Sequence, residues 1–416
     1  MADAARRRAI HDDPPGPGSA DLSEPLVSVE DVKILHTSDW HIGRTFHQHS
    51  TAEALASVLD ALVEAVREHA VDVVVVAGDV FDSSTPSAAA VEELDRVLVA
   101  LRDTGARVIV TSGNHDSPAR LGAKAAFLHE AGVHIVTRPQ DHATPITVED
   151  QHGPVHFYGI AYLEPALIRH VWPDQRLAHQ ADAIGFALDN IRADLATRGG
   201  RSVVLAHTFV SGAEGESCES ERGITAGGLD RVPVPVFDGV TYAALGHIHG
   251  RNTLAPHVRY SGAPLHLSFS EQDKPRGAWL VTLDADGLGP VEWLDLPVPR
   301  ALTTLTGTLD ELLSDPGLAD RESHWVRAIL TDVARPDDPM RRLQGRFPHC
   351  ALLEFRPSHV DASASPIDPR RLATLTDQQV MAEFLAFVRG GEGPTEAEAQ
   401  LLDDLVGHVA GTEAAR

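Results

Sequence analysis

Residues 71–82 read Val-Asp-Val-Val-Val-Val-Ala-Gly-Asp-Val-Phe-Asp, and the fold class turns on them. Val71 to Ala77 is an almost unbroken β-branched run, the pattern of a strand buried on both faces, and Gly78 ends it. On the N-terminal side, Thr51 to Ala70 places Leu55, Val58, Leu59, Leu62, Val63 and Val66 at helical spacing, and Ser50 with Glu53 forms a capping-box pattern at its start. Before it, Lys33 to Thr37 reads as a short strand. On the C-terminal side, a helix from about Ser87 to Asp103 leads into a strand, Arg107 to Thr111, that stops at Ser112-Gly113. This βαβαβ alternation specifies an α/β sheet with helical crossovers.

Further strands are expected at His134 to Val136, Val155 to Ile160, Ser202 to Ala206, Tyr242 to Leu245, Ala278 to Leu283 and Val291 to Leu296, with a helix from about Asp182 to Thr197. Between Val210 and Leu229 lies a Gly- and Glu-rich stretch that reads as a mobile loop, with Gly227-Gly228 as a simple turn. Residues 1–31, rich in Pro, Gly, Asp and Ser, read as a disordered leader. Pro297 and Pro299 mark a boundary, so the main domain is expected over 32–299. A small α+β domain follows over 300–365, with strands near Trp325 to Leu330 and Ala351 to Phe355. Residues 366–416 are expected to be helical, with Leu401, Leu402, Leu405 and Val409 on one face, either packed as core or exposed for a partner.

Composition narrows the class. Among 416 residues, 60 Asp and Glu stand against 35 Lys and Arg, a net charge of −25 that excludes a basic nucleic-acid coat protein. With 43% hydrophobic residues the chain is not a disordered polypeptide. Cys218 and Cys350 make no disulfide framework and no Cys-x-x-Cys pair, which fits a reducing, cytoplasmic setting. No apolar run approaches the roughly 20 residues of a spanning helix, so no membrane role is expected.

Five segments place His, Asp or Asn just after an expected strand: Asp39-Trp-His41, Gly78-Asp-Val-Phe-Asp82, Gly113-Asn-His-Asp116, Ala206-His207 and Gly246-His-Ile-His249. In an open α/β sheet the C-terminal strand ends share one side, so residues distant in sequence can converge there. The glycines before Asp79, Asn114 and His247 would let the chain turn sharply. Imidazoles, carboxylates and one amide oxygen, without a thiolate, suit Mn²⁺, Fe²⁺ or Zn²⁺ better than a structural zinc cage. Asp39, His41, Asp79, Asn114, His207, His247 and His249 exceed what one ion needs. Two cations bridged by one carboxylate, about 3.5 to 4 Å apart, would use them, an arrangement that hydrolyses phosphate esters. His115 is then free to donate a proton to the leaving group, with Asp82 or Asp116 holding its tautomer.

The order Asp-x-His, Gly-Asp-x-x-Asp, Gly-Asn-His-Asp, His, Gly-His-x-His over about residues 33–250 resembles the calcineurin-like metallophosphoesterase superfamily. Within it, His36-Thr-Ser-Asp-Trp-His41, Gly78-Asp-Val-Phe-Asp82, Tyr260-Ser-Gly-Ala-Pro264 and Leu267-Ser-Phe-Ser-Glu271 are similar to the SbcD family of bacterial nuclease subunits. The resemblance implies a layered α/β sandwich of mixed sheets flanked by helices, with a small capping domain and a helical C-terminal tail. It implies that Asp39, His41, Asp79 and His249 bind one Mn²⁺ while Asp79, Asn114, His207 and His247 bind a second, with Asp79 as bridge and His115 as transition-state acid. It further implies exonuclease action on double-stranded DNA ends and endonuclease action on hairpins and single strands, in DNA repair, recombination and replication. The partner would be the SMC-like ATPase SbcC, docked on the C-terminal helices of a tetramer with two subunits of each kind. A nucleotide or small-phosphoester phosphatase would share the same core, and a non-catalytic scaffold would share the fold.

His36, His47, His49, His129, His134, His257 and His266 match no ligand motif and are expected to be ordinary core or surface residues. The acidity opposes DNA binding, which phosphate neutralisation dominates. Arg44, Arg120, Lys124, Arg169 and Arg251 lie near motif loops and could form a local basic track, while tight binding would depend on a partner.

Overall fold

The computed structural model describes residues 30–212, 231–358, 374–389 and 392–413. The expected leader lies outside these but for its last two residues, and the Val210 to Leu229 stretch is described only through Gly212. Along the chain run β1 (Val32–Thr37), β2 (Thr45–Phe46), β3 (His49–Ser50), β4 (Val73–Ala77), β5 (Arg107–Thr111), β6 (Val133–Val136), β7 (Ile146–Asp150), β8 (Gly153–Ile160) and β9 (Arg201–His207). There follow β10 (Tyr242–Gly246), β11 (Asn252–Ala255), β12 (Val258–Tyr260), β13 (Gly277–Asp284), β14 (Gly287–Asp295), β15 (Leu302–Gly307), β16 (Trp325–Leu330) and β17 (Cys350–Phe355).

The strands form two large mixed sheets, as the layered sandwich expected from the resemblance requires: β14-β13-β1-β4-β5-β6 and β11-β12-β10-β9-β8-β7. Side-chain alternation explains the stacking. On β4, Val73 and Val75 face the second sheet, packing with Ile34, Phe157, Val203, Leu205 and Tyr242. Val74 and Val76 face the other way, onto Leu55, Leu59 and Leu62 of helix Ala52–Glu68 and Leu98 and Leu101 of helix Ala88–Arg102. On β9, Val204 and Ala206 meet Ile184, Leu188 and Ile191 of helix Gln180–Arg198. The result is four layers, helix, sheet, sheet, helix, and it explains why β4 and β9 read as unbroken apolar runs. His36 joins the sheets: its Nδ1 lies 2.9 Å from the Tyr242 hydroxyl and its Nε2 3.1 Å from the Leu245 carbonyl.

The expected capping box does not form. Ser50 lies in β3, Thr51 is the N-cap without a side-chain cap bond, and the Thr51 hydroxyl donates instead to the Arg44 carbonyl at 2.6 Å. Beyond Pro299, β15-β16-β17 form a parallel sheet packed on helices Leu309–Ser314 and Pro339–Arg346, with Leu312, Val326, Leu330, Leu343 and Phe347 at its centre. The C-terminal region is two helices, Asp377–Val388 and Glu396–Glu413, broken near Pro394 and linked by the Arg389–Glu398 ion pair at 2.8 Å. Phe384, Phe387, Leu401 and Leu405 on them are exposed; the side chain of Val409 lies outside the described residues. No helix of the described residues is long and apolar enough to cross a membrane.

Candidate metal centre

All parallel, β1, β4 and β5 of the first sheet and β9 and β10 of the second bring their C-terminal ends to one rim. Backbone pairing continues past the strands, Asp39 N to Gly78 O and His41 N to Asp79 O at 3.0 Å each, so the loops are held as firmly as the sheet. Four of the seven ligand candidates have positive φ: Asp39 at 53°, His41 at 46°, Asp79 at 49° and His247 at 104°. Non-glycine residues in that region store strain, which collects at functional sites. Only one of the three glycines is needed for its turn: Gly78 has φ +85°, whereas Gly113 and Gly246 do not enter the positive region. Those two are needed for space, since a Cβ would strike the Asp79 carboxylate at Gly113 and the Ala77 carbonyl at Gly246.

The seven candidates meet. His41 Nε2 lies 3.2 Å from His249 Nε2 and 3.6 Å from Asp79 Oδ2. His207 Nε2 lies 3.4 Å from Asp79 Oδ2 and 2.9 Å from Asn114 Oδ1, which is also 3.1 Å from His247 Nδ1. Asp39 closes both groups: a carboxylate oxygen lies within 4.8 Å of a ring nitrogen of His41 and of His249, and within 4.8 Å of an Asp79 oxygen and a His207 ring nitrogen. Its carboxylate accepts from the His247 backbone amide at 3.0 Å and from the Ser38 hydroxyl, which also meets Ser261 Oγ at 2.8 Å.

The outer contacts decide which ring nitrogens face inward. His207 Nδ1 donates to the Ala77 carbonyl at 2.9 Å, leaving Nε2 for the centre. His249 Nδ1 faces Glu271 Oε1 at 3.3 Å, and His41 Nδ1 faces Asp82 Oδ1 at 3.3 Å, so both present Nε2. With those protons outside, two imidazole lone pairs point at each other across 3.2 Å, and the His207 lone pair points at two oxygens. Such an arrangement is repulsive unless a proton or a cation lies between, and its nitrogen and oxygen donors fit divalent cations.

The protonation balance tells the same story. Burial alone would raise the Asp79 carboxyl, but the His207 and His41 imidazoles outweigh it and hold it far below its usual range. Burial would lower His207, but Asp79 overrides it and raises it. His247, buried and beside His207, is lowered to about 3, and burial lowers His41.

His115 lies at the edge, its ring centroid 4.8 Å from that of His41. Its Nδ1 donates to the main-chain carbonyl of Asp82 at 2.8 Å and its backbone amide to Asp79 Oδ1 at 2.9 Å. Neither carboxylate expected to hold this tautomer does so. Asp82 turns to His41 and to Arg44 Nη1 at 2.7 Å; burial opposes ionisation, but those partners lower it to about 2. Asp116 accepts from the amides of Phe81 and Gly113 at 2.9 Å and Val80 at 3.1 Å, tying two motif loops together. Burial and the nearby Asp79 charge raise Asp116 despite those donors.

Sequence reasoning missed the roles of Glu271 and Asp82 behind the imidazoles. Glu271, fully buried, also accepts from Leu267 N at 3.1 Å and lies 3.4 Å from Arg276 Nη2. It closes the Leu267 to Glu271 segment, which the resemblance singled out without a role. The expected basic track is thin: Arg44 is spent on Asp82, and Lys124 lies 3.4 Å from Asp95. His47 and His49 pack in an aromatic cluster with Phe46, Phe269 and Trp325.

Residues 32–251 match the calcineurin-like phosphoesterase family model, and residues 298–389 match a second, SbcD_C, described as the type 5 capsule protein repressor C-terminal domain. Among solved structures, a protein of Thermus thermophilus is 13% identical, covering 64% of this chain and 99% of that one, with a TM-score of 0.36. A dimetal phosphatase from Danio rerio is 14% identical, covering 63% and 98%, with a TM-score of 0.38. A purple acid phosphatase from yellow lupin (Lupinus luteus) seeds is 12% identical, covering 64% and 51%, with a TM-score of 0.36.

Proposed function

Since the chain belongs to the calcineurin-like phosphoesterase family, we propose that it is a Mn²⁺-dependent DNA nuclease. It cuts double-stranded ends exonucleolytically, and hairpins and single strands endonucleolytically, as the cytoplasmic partner of an SMC-like ATPase of the SbcC type. The observation that supports the nuclease over a small-molecule phosphatase is the SbcD_C match over residues 298–389, C-terminal to the phosphoesterase match. The exposed Phe384, Phe387, Leu401 and Leu405 on the two terminal helices suit ATPase docking in a tetramer with two subunits of each kind.

Asp39, His41, Asp79 and His249 would hold one cation, and Asp79, Asn114, His207 and His247 the other. Bound there, the pair supplies a deprotonated water at neutral pH and countercharge for the phosphoryl oxygens. Asp82 and Glu271 orient His41 and His249 and keep their inner nitrogens unprotonated. His115, its Nδ1–H fixed on the Asp82 carbonyl, would act as the acid in its imidazolium form, giving the Nε2 proton to the leaving alkoxide as the ester bond breaks and becoming the neutral Nδ1–H ring. Asp116 supports this indirectly by bracing the 79–82 and 113–116 loops.

Linear duplex, hairpin DNA and a small phosphodiester assayed side by side, with His115→Ala as control and with or without the ATPase and ATP, test the reading. Cleavage of DNA lost in His115→Ala supports it; turnover of the small diester alone would favour a phosphatase. Full nuclease activity after Asp79→Ala or His115→Ala would contradict the residue assignment, and no turnover of any of these substrates by the wild type would leave a scaffold. The net charge of −25 adds an expectation: DNA binding by the isolated chain is weak and falls steeply with salt.

A further inference from the structure

Beside the metal loop opens a cavity of about 490 Å³ that no step above uses. Asn114 forms part of its wall, and the same side chain places Oδ1 between His207 and His247. A group in this cavity is therefore next to any phosphate held at the centre. The rest of the wall is largely apolar: Tyr162, Ile168 and Val171, with Leu167, itself 69% exposed, also lining it. Tyr162 packs edge-on to His207, ring centroids 6.1 Å apart, which joins the aromatic wall to the centre.

The polar groups say what the cavity rejects. Its ionisable lining is Glu164, Asp116 and His170, with Gln140 beside them and no lysine or arginine; Asp116 already spends both oxygens on backbone amides. A backbone phosphate would meet the Glu164 carboxylate with no lysine or arginine to offset it. A neutral, flat heterocycle would cover the apolar wall and direct its amino or imino N–H groups to the Glu164 carboxylate and the Gln140 amide oxygen. The volume lies within the roughly 300 to 1,000 Å³ of small-ligand pockets, which accommodate a single base but no paired helix.

We propose that this cavity receives one unpaired nucleobase of the strand being cut, on the nucleotide adjoining the scissile phosphate. The inference rests on the nuclease reading and adds to it a requirement for local unpairing, as in other enzymes that take a base out of the stack. Frayed ends, hairpin loops and single strands meet that requirement without further cost.

The test is an abasic scan on the full-length, Mn²⁺-loaded protein, using single-stranded oligonucleotides with one abasic residue stepped through the positions flanking the cut. For the wild type, KM should rise roughly 5- to 100-fold when the missing base is the one that fills the cavity, and change little elsewhere. Leu167→Asp, an exposed site whose change leaves the core intact, should raise KM for the intact strand and erase the abasic penalty. Tyr162→Ala should do the same, and Leu167→Asp carries the test if Tyr162→Ala fails to fold. An abasic penalty absent at every position, or undiminished in Leu167→Asp, would overturn the cavity assignment while leaving the nuclease intact. Failure of the wild type to cut any intact strand would overturn the nuclease reading itself, and the cavity assignment with it.

Discussion

The two halves of the metal centre are braced by different means. Around His41 and His249 the braces are side-chain carboxylates, Asp82 and Glu271, each beside an arginine, Arg44 at 2.7 Å and Arg276 at 3.4 Å. Around His207 the brace is a main-chain group, the Ala77 carbonyl, which receives Nδ1–H, while the His247 backbone amide donates to the Asp39 carboxylate. A carboxylate behind an imidazole raises its basicity and can be removed by one substitution. A carbonyl inside a sheet is neutral, and only backbone movement removes it. The first half is therefore adjustable, and the second is built into the pairing of two sheets.

Asp79 faces both halves, so Asp79→Ala should have the largest effect: fewer cations per chain and a fall in turnover on the order of a thousandfold or more, measured by metal analysis alongside a phosphodiesterase assay. Next comes His115→Ala, which belongs to neither half. Turnover should fall by about 10²- to 10⁴-fold with cation content unchanged, and a parallel loss of metal would show that His115 is a ligand instead.

Glu271→Gln and Asp82→Asn test the contrast itself. Each should weaken one of two cations by about 10- to 100-fold and leave the other in place, as calorimetric titration would resolve. Equal weakening of both would erase the distinction between the halves. The smallest effect is on stability. His36, which holds the two sheets in register, is buried neutral and lowered by that burial to about 3 from 6.5. The unfolded chain takes up this proton first, so the contribution is full above pH 6.5 and is lost progressively as pH falls toward 3. Melting temperatures of metal-free wild type and His36→Gln should diverge at pH 8 and converge near pH 4; a gap that widens in acid would reverse the sign.

Much of this candidate centre was legible because its proposed ligands sit where strands stop. Val73 to Ala77 announces a buried strand, Gly78 its end, and Asp79 the group placed there, and the same logic exposes Asn114, His207 and His247. What pattern could not supply is which sheet each strand joins: β9 and β4 are equally apolar, yet they face each other across a core instead of pairing. Braces were illegible for a related reason. Asp82 and Asp116 both carry a carboxylate near His115, but the turn gives His115 the Asp82 carbonyl, sends the Asp82 side chain to His41 and buries Asp116 on three amides. Glu271 reaches His249 from 22 residues away, a contact without local periodicity. Short strands such as β11 and β12, and β15 with its threonines, offer too little alternation to separate from loop.

The central claim is that the facing lone pairs of His41, His249 and His207 exist to hold cations. A crystal soaked in Mn²⁺ and measured for anomalous scattering tests it most directly. Two peaks about 3.5 to 4 Å apart are expected, one between His41 and His249 and one beside His207 and Asn114, with Asp79 touching both. A single peak, or none with the imidazoles turned apart, would contradict it.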